Sequence, residues 1–383
     1  MIRVAKSHLS VAAQTHPGMS GKNNEDRYAV SAFQQGRRSR IPALFAIISD
    51  GIGGHRAGEV AAEMTVEGIS RRVAKSSGIK PLDIMEKAIV QVNQEIYAQA
   101  QADPACQGMG ATCACAWIIR NRLYTASIGD SRIYLMRGST IQQISTDHTW
   151  IQEALDRGVI TPKQAHGHPN THVIRRYLGG PTPPQVDFRL RLNGSENDQE
   201  SAENQGLALL EGDRLLLCSD GLTDLVTDPE ILAIFQQYPL ENAMQALVDL
   251  ANQRGGHDNI TLVAIQAPKG AFRSPVSMVR IIAIGLGMLL LAAIITVWWF
   301  FGPETWDRLT GDGRRTAAPT LNFSITQAPA VATFSAAYPP PATAAYPPPT
   351  VQPSTSPVPT LPGYQPAVGG PTLTPWPTNA LKP

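Results

Sequence analysis

The chain has 383 residues, enough for two or three domains, yet only 16% of them are charged, against about 25% in an average soluble domain. The shortfall lies in residues 281–383, which hold seven charged side chains; the first 280 residues hold the other 56 and are 20% charged. A formal net charge of +1 excludes a strongly basic nucleic-acid-binding protein, and four cysteines exclude a disulfide-rich secreted scaffold. The composition therefore predicts a globular N-terminal domain, residues 1–268, followed by a segment of another kind.

Three amphipathic helices are predicted in this domain. Pro81–Ala102 has apolar residues at spacings of three and four, so one face would be buried, and Ala57–Ala74 and Asp228–Gln253 show the same pattern. Because short turns join neighbouring strands and the helices come in adjacent pairs, we expect an α+β layered sandwich rather than a parallel sheet. Apolar runs predict strands at Ala43–Ser49, Ala114–Arg120, Arg122–Ile128, Arg132–Met136, Arg214–Ser219 and Ile260–Ile265.

The four cysteines, Cys106, Cys113, Cys115 and Cys218, all lie in the N-terminal domain. Cys113 and Cys115 are two residues apart in an apolar run and would share one face of a strand. We expect buried, reduced thiols rather than a zinc site, because the sequence has no second closely spaced pair.

Acidic residues follow or precede several predicted strands. Asp50, Asp130 and Asp220 each come directly after one, Asp258 stands just before the last, and Glu25 and Asp26 precede a further probable strand. A single aspartate at a strand end is usually explained by turn chemistry, but five such places in one chain favour a shared site at one rim of the sheets. Closely placed carboxylates raise one another's pKa unless a cation neutralises them, and oxygen ligands select Mg²⁺ or Mn²⁺ over zinc.

Other phosphate-handling machinery is missing from the sequence. It has no cysteine followed six positions later by arginine, no DxDxT motif and no Walker loop. A covalent phosphoenzyme therefore has no evident nucleophile.

An ordered series of motifs resembles the metal-dependent protein phosphatases, type 2C or PPM. The series spans roughly residues 10–266 and comprises NNED (Asn23–Asp26), SDGIGGH (Ser49–His55), GEVA (Gly58–Ala61), GMGAT (Gly108–Thr112), GDSR (Gly129–Arg132), DH (Asp147–His148), GDRLLLCSDGLTD (Gly212–Asp224) and HDNITLV (His257–Val263). With the membrane span predicted below at residues 281–301, the chain is similar to membrane-anchored bacterial members that reverse serine/threonine kinase signalling.

The resemblance implies a four-layer α-β-β-α sandwich with a binuclear Mn²⁺ or Mg²⁺ centre at one end. In it, Asp50 would bridge both ions, Gly51 would add its carbonyl, and Asp220 and Asp258 would complete one ion; these three aspartates form the implied catalytic set. Glu25 would hold water on the other ion with Asp26 nearby, and Asp130 would bind a third, weaker ion. The implied reaction is attack on phosphorus by a metal-activated water, with no covalent intermediate.

Two positions depart from the family pattern. Relatives usually have a phosphate-binding arginine where this chain has Gly21, and Lys22 is the neighbouring candidate, a point charge rather than a bidentate fork. Arg27 and Arg56 are weaker candidates. Ile52 stands where many eukaryotic members have a histidine proposed as general acid, and His55 does not inherit that role.

Two further segments allow alternative interpretations. His166, His168 and His172 resemble a metal-binding cluster, but they fall where relatives have a mobile flap, and we favour the flap. Asn193–Gly206 is a polar, acidic insertion for which a solvated loop is the expected structure and a regulatory contact the alternative.

Residues 281–301 are 21 consecutive uncharged, mostly apolar residues, about 30 Å of helix, and predict a single membrane span after a linker at 269–280. Lysines and arginines are equally frequent on both sides of it, so the positive-inside rule does not decide the orientation. Because the N-terminus has no apolar signal-peptide core, we expect a cytoplasmic domain and an extracytoplasmic tail at 302–383. That tail, rich in proline, alanine and threonine, would be a semi-rigid, extended stalk or an inert disordered tail.

The sequence thus predicts a single-pass membrane protein whose cytoplasmic domain hydrolyses phosphoserine and phosphothreonine in proteins, opposite a serine/threonine kinase. One rival is a pseudophosphatase or phosphate-sensing module that lost rate with the change at Gly21. Another is a structural protein in which the stalk carries the function. The intact set of acids argues against both.

Overall fold

The computed structural model describes residues 1–36, 40–53, 57–270 and 285–299. The strands are β1 (Ile2–Arg3), β2 (Ser10–His16), β3 (Arg27–Gln35), β4 (Ile41–Ser49), β5 (Gly51–Ile52), β6 (Gly110–Ala111), β7 (Cys113–Ile119), β8 (Arg122–Ile128), β9 (Arg132–Arg137), β10 (Thr140–Gln143), β11 (Leu207–Ala208), β12 (Arg214–Cys218) and β13 (Ile260–Gln266). The helices of the domain are α1 (Gly58–Lys75), α2 (Pro81–Ala102), α3 (Trp150–Asp156), α4 (Pro162–Ala165), α5 (Asp198–Glu203), α6 (Asp220–Thr223), α7 (Asp228–Gln237) and α8 (Leu240–Gln253).

Two antiparallel sheets form the centre of the domain. The first has the strand order β1-β3-β4-β7-β8-β11, and the second has the order β10-β9-β12-β13-β2. In the first sheet Phe45 of β4 lies opposite Trp117 of β7, and in the second Leu217 of β12 lies opposite Val263 of β13. The six strands predicted from the sequence are present, with ends that differ by at most two residues.

Three apolar clusters separate four layers. Along β4, alternate side chains enter different clusters: Leu44 and Ile48 pack between the two sheets, whereas Phe45 and Ile47 pack against α1 and α2. On the outer face of the second sheet, Leu216 packs against α7 and α8. This α-β-β-α arrangement confirms the expected layered sandwich.

The predicted helix Asp228–Gln253 is wrong as a single element. It is two helices, α7 and α8, separated at Tyr238-Pro239. Proline has no N–H to continue the helix and disfavours helical geometry in the residue before it, and Tyr238 is extended with φ −117° and ψ 151°. Apolar spacing alone did not reveal the break because both helices pack on the same sheet face.

The cysteines are free and buried, and Cys113 and Cys115 share the cluster between the first sheet and its helices.

The acidic insertion, Asn193–Gly206, is not wholly a loop, since its second half forms α5. Asn197 and Glu200 form a capping box at the start of α5, and Asp198 pairs with Arg189 and Arg191 at 3.0 and 2.8 Å. The prediction of a solvated loop is therefore wrong for this half.

Residues 285–299 form a helix with exposed apolar side chains, among them Leu289 and Trp298. Within the described residues, no helix has both the length and the apolar character needed to cross a membrane. Most of the predicted linker (271–280), both ends of the predicted span and the predicted tail lie outside the described residues.

Candidate metal centre

The strand ends place five acidic segments at one edge of the two sheets. Asp50 follows β4, Asp130 follows β8 and Asp220 follows β12, while Glu25-Asp26 and Asp258 stand just before β3 and β13. Their closeness is evident at Asp50, whose pKa lies well above its usual range because of burial and then the charges of Asp26, Asp220, Asp130 and Asp258. The structure thus brings together the aspartates that the sequence singled out.

Hydroxyl groups fix the backbone around Asp50. The Asp50 N–H donates to Thr112 Oγ1 at 2.9 Å, and the Thr112 N–H donates to the Asp50 carbonyl at 2.8 Å. Thr112 Oγ1 also lies 2.7 Å from Ser131 Oγ, next to Asp130. Two acid-bearing strand ends are therefore tied together through one buried threonine.

A second set of hydrogen bonds joins the segments from β3, β12 and β13. Ser219 Oγ donates to Asp26 Oδ2 at 2.7 Å and accepts the Thr261 N–H at 3.0 Å. The Glu25 N–H donates to Asn259 Oδ1 at 2.7 Å, and the Asn259 N–H donates to Asp258 Oδ1 at 2.8 Å. The asparagine that follows Asp258 therefore sets the position of Glu25.

Two glycines allow the close approach of Glu25 and the Asp50 turn to helix α1. A Cβ atom at Gly51 would collide with the backbone of Gly58, and one at Gly58 would collide with the Glu25 carboxylate. Gly58 is the first residue of α1, so the Glu25 side chain lies at the positive end of that helix. The glycines of the motifs SDGIGGH and GEVA, Gly51 and Gly58, thus have a steric basis.

Burial raises the pKa of every aspartate in the cluster that shows a shift. The pKa of Asp26 rises to about 7, and hydrogen bonds from Ser219 and Thr261 offset part of the effect. The pKa of Asp130 rises to about 8 through burial and the charges of Asp220 and Asp147. The pKa of Asp220 rises to about 6 through burial and the charges of Asp224 and Asp258, partly offset by a hydrogen bond with Asp50.

The donor set fits a hard divalent cation. Four buried side-chain oxygens of the described residues have no hydrogen-bond partner, and two of them, Asp26 Oδ1 and Asp220 Oδ1, belong to this site. Leaving a buried carboxylate oxygen unpartnered is costly unless something else neutralises it. The available donors are carboxylates and backbone carbonyls, the ligands preferred by Mg²⁺ and Mn²⁺. Asp50, Gly51, Asp220, Asp258, Glu25 and Asp130 would hold the ions, with Asp26 supporting them.

Two further residues lie beside this set: Asp224, which the sequence did not single out, and His172, which the sequence offered only within a three-histidine cluster. Asp224 lies one helical turn after Asp220, and His172 Nδ1 lies 3.5 Å from Asp224 Oδ2; the ligand atoms of these three residues all lie within 4.8 Å of one another. The spacing of four in DGLTD was a usable signal for Asp224, because α6 places both on one face. His172 comes from a segment far away in the sequence, so only the tertiary structure shows that it lies beside Asp220 and Asp224.

The three histidines His166, His168 and His172 do not form one cluster. The ring of His168 stacks on Trp150, with centroids 4.7 Å apart and planes at 20°, whereas His172 belongs to the group with Asp220 and Asp224. The segment holds α3, α4 and turns, and it borders a cleft also lined by Asp130, Arg132 and Asp147. A metal site made by the three histidines alone is therefore wrong; a flap beside the acids agrees with this placement.

Lys22 is exposed on the connection between β2 and β3, three residues before Glu25. No hydrogen bond or ion pair joins its side chain to another residue in the described part of the chain. Gly21 has φ +71° and open space around its Cβ position. Arg27, by contrast, donates from Nη1 to the carbonyls of Asn24 and Asp26 at 2.8 and 2.9 Å, and its Nε lies 3.9 Å from Glu63 Oε2.

Comparison with known proteins shows to which family the chain belongs. The sequence model described as Protein phosphatase 2C matches residues 18–154. The chain is 34% identical over 270 residues to the protein phosphatase PhpP of Streptococcus pneumoniae, and the match covers 67% of this chain and 97% of PhpP. The chain belongs to the protein phosphatase 2C family.

The same domain is recognisable in relatives of other lengths. The chain is 35% identical over 255 residues to the serine/threonine protein phosphatase PstP of Mycobacterium tuberculosis, covering 67% of this chain but only 44% of PstP. A crystal structure of the catalytic domain of PstP in complex with 2 manganese ions aligns with a TM-score of 0.55 and 32% identity, covering 68% of this chain and 98% of that one. The 2C fold predicted from the motif series is thus confirmed.

Proposed function

We propose that this 2C-family chain is a Mn²⁺- or Mg²⁺-dependent phosphatase of phosphoserine and phosphothreonine in proteins. The observation that supports it is the convergence of Asp50, Asp220 and Asp258 at one edge of the sheets, with a buried, unpartnered oxygen on Asp220. Its relatives agree with this activity, since PstP is a serine/threonine protein phosphatase and PhpP is a protein phosphatase.

The residues of the site would have different roles in this reaction. Asp50, Gly51, Asp220 and Asp258 would hold the two ions, Glu25 would hold water on one of them with Asp26 nearby, and Asp130 would hold a third, weaker ion. The chemistry that the ions supply when bound is activation of water near neutral pH and neutralisation of phosphate charge. Thr112, Ser219 and Asn259 keep the carboxylates in place through the hydrogen bonds described above. The flap residues around His172 close one side of the cleft.

The activity is tested with a phosphothreonine peptide, the purified chain and added Mn²⁺. We expect turnover that requires the metal and falls at least 100-fold in Asp50→Asn and Asp220→Asn, because each removes a charge that the ions need. Asp249→Asn, an exposed aspartate on α8, is the matched control and should keep full activity. Turnover without metal, or equal turnover in all variants, would overturn the assignment and leave a phosphate-sensing or partner-binding module.

We infer that Lys22 binds the substrate phosphate, since it is the exposed cation nearest in sequence to Glu25 and its side chain is held by no other described residue. Lys22→Ala should raise the KM for phosphopeptide about tenfold while leaving Mn²⁺ affinity unchanged, because it removes one charge-assisted contact. Lys6→Ala, an exposed lysine at the other end of the domain, is the control. Unchanged kinetics in Lys22→Ala would exclude Lys22 from this role.

We further propose that residues 281–301 span the cell membrane once, with the phosphatase domain in the cytoplasm and the tail at 302–383 outside. The 21 uncharged residues support the span, and the apolar, exposed side chains of the helix at 285–299 are compatible with it. Protease treatment of intact cells should remove a tag from the tail and spare one on the domain. The reverse pattern would overturn the orientation, and release of the protein by carbonate would overturn the span.

The substrates that this arrangement favours are phosphoproteins at the inner face of the membrane, among them a serine/threonine kinase and its targets. A phosphoproteome of cells lacking the chain should gain phosphoserine and phosphothreonine sites. The same cells expressing the Asp50→Asn protein should show the same gain. Reversal of the gain by that variant would mean that hydrolysis is not the function.

A further inference from the structure

The two ends of the sandwich differ in what they carry. The strands that lead into Asp50, Asp130 and Asp220 all begin at the opposite end, and β13, which starts after Asp258, finishes there. We call this opposite end the exit end, because the chain leaves the domain from it after Gln266. It comprises the N-terminal residues 1–8, Gly36 after β3, Arg40 before β4, the turns around residues 76–80, 120–121 and 210–212, and residues 267–269.

Contacts between these segments show that the exit end is one continuous surface. His8 Nε2 lies 2.8 Å from the Arg120 carbonyl, and the Leu209 N–H donates to the Asn121 carbonyl at 2.8 Å. The Gly212 N–H donates to the Ala267 carbonyl at 2.8 Å. Gln35, the last residue of β3, donates to the Gly78 carbonyl at 2.5 Å. Pro268 and Lys6 line the same surface depression, which places the departing chain beside the N-terminal segment.

The exit end carries an excess of positive charge. Its exposed basic residues include Lys6, Arg40, Lys75, Arg120, Arg122 and Lys269. None of these six forms an ion pair with an acid of the described chain. The acids at this end are fewer, and two of them are already paired, Asp83 with Lys80 and Asp213 with Arg137. The other two are Glu211 and Glu241, which are exposed. The opposite edge holds the acidic cluster around Asp50. A chain with a net charge of +1 therefore contains a strongly polarised domain.

Exposed apolar side chains lie among these cations. Ile79 is 79% exposed, Leu210 is 51% exposed and Ile2 is 44% exposed, and all three belong to exit-end segments. A surface with several unpaired lysines and arginines and a few protruding apolar side chains matches the interface of an anionic bilayer, where the headgroups are negative and the acyl boundary is close.

We propose that the exit end is a docking surface for anionic lipid headgroups. The surface holds the phosphatase domain against the membrane with the acidic site directed away from it, toward substrates. This inference rests on the proposed span at 281–301 for the tether but not for the surface itself. In the sequence, residues 267–280 join the domain to the proposed span, and a chain of this length reaches at most about 50 Å when fully extended. A short tether and a weak charged surface reinforce each other by raising the local concentration.

The test uses residues 1–270 with vesicles, so that the span plays no part. We expect this piece to fold on its own, because all three apolar clusters lie within it and the crystallised catalytic domain of PstP aligns with 68% of this chain. Sedimentation with vesicles of 70% phosphatidylcholine and 30% phosphatidylserine should retain the protein, whereas pure phosphatidylcholine should not. Salt at 0.5 M should release it, because exposed charges are then screened.

Two double variants carry the same change in charge. Lys6→Glu/Lys269→Glu alters the exit end and should lower the partition onto phosphatidylserine vesicles at least tenfold. Arg157→Glu/Lys163→Glu alters exposed cations around α3 and α4, away from the exit end, and should lower it less than twofold. Both pairs should keep the circular dichroism spectrum of the parent, since all four side chains are exposed and outside the core.

Each outcome separates the surface from the span. Failure of residues 1–270 to bind anionic vesicles, or equal losses in the two double variants, would overturn the docking surface. Equally tight binding to duplex DNA at the same salt concentration would assign the exit end to nucleic acid and overturn it as well. If residues 1–270 bind the vesicles but carbonate releases the full chain from membranes, the docking surface is supported and only the proposed membrane span is rejected.

Discussion

At the scale of single residues, the aspartates of the site destabilise the folded domain when no metal is bound. Burial and mutual repulsion raise the pKa of Asp26 to about 7 and that of Asp130 to about 8. Such groups disfavour the folded state until a cation offsets the repulsion, so the arrangement is explained by metal binding rather than by folding. Away from the metal centre, a buried acid can instead have a lowered pKa and stabilise the fold.

Asp187 is the clearest example. Its side chain is 3% exposed and accepts from His148 Nε2 at 2.9 Å and from Arg189, whose Nε and Nη2 both donate to it. Although burial alone would raise its pKa, the hydrogen bonds from His148 and Arg189 and the charge of Arg189 hold that pKa well below its usual range. A depressed carboxyl pKa stabilises the fold above the unfolded-state value, about 3.9, and the contribution is lost as the pH falls below it.

We therefore expect Asp187→Asn to lower the free energy of unfolding by about 3 kcal/mol at pH 7, because it removes one partner of a buried charged pair. The difference from the parent should shrink at pH 3.5, where Asp187 begins to protonate in the unfolded chain. Urea denaturation at both pH values measures it. Asp249→Asn, on the exposed side of α8, should change neither value by more than about 0.5 kcal/mol. A difference that stays constant with pH would contradict the charge-based explanation.

At the scale of elements, the α1–α2 pair depends on a glycine at its crossing. A Cβ atom at Gly68 of α1 would lie 2.6 Å from Val92 Cγ2 of α2, and the β-branched valine has little freedom to move. Gly68 is therefore retained in the middle of an 18-residue helix despite its low helix propensity.

Gly68→Ala should destabilise the domain by about 1 kcal/mol, since an overpacking cost of about 1–3 kcal/mol exceeds the gain of up to about 1 kcal/mol in helix propensity. Val92→Ala alone should also destabilise, by leaving a cavity. The double variant should be more stable than the sum of the two changes predicts, because the new methyl group fills the space. Thermal denaturation of the four proteins completes the cycle, and strict additivity would mean that the two side chains do not meet.

At the scale of the whole molecule, metal binding at one end should stabilise the entire domain. The strand ends that carry the acids belong to both sheets, so a cation there joins the two halves of the sandwich. Mn²⁺ at about 100 times its dissociation constant adds about 2.7 kcal/mol to the free energy of unfolding. For a domain of this size that corresponds to a rise in Tm of about 5 °C.

Scanning calorimetry of the purified chain with Mn²⁺ and with EDTA measures this rise. Asp220→Asn should abolish it. In EDTA the same variant should be at least as stable as the parent, because it removes a charge from a repelling group. A Tm that does not respond to Mn²⁺ in the parent, or a fully retained response in Asp220→Asn, would contradict the assigned ligands.

Local sequence pattern determined much of this protein. Apolar runs and helical spacing fixed the six strands and the helices α1 and α2, because these elements depend on which residues alternate or recur within one segment. The same pattern located Asp50, Asp130, Asp220 and Asp258 at strand ends. It missed the break at Pro239 and the helix α5, where a proline and a capping box override the average composition.

Only the tertiary structure decided which of these groups meet. The bond from Ser219 to Asp26, the link from Asn259 to Glu25 and the approach of His172 to Asp224 join residues far apart in the chain. The net charge of +1 for the whole chain also conceals the separation of an acidic site from a basic exit end. Both facts depend on how two sheets stack, because stacking sets the distances between strand ends, and those distances set burial, pKa and ligand geometry.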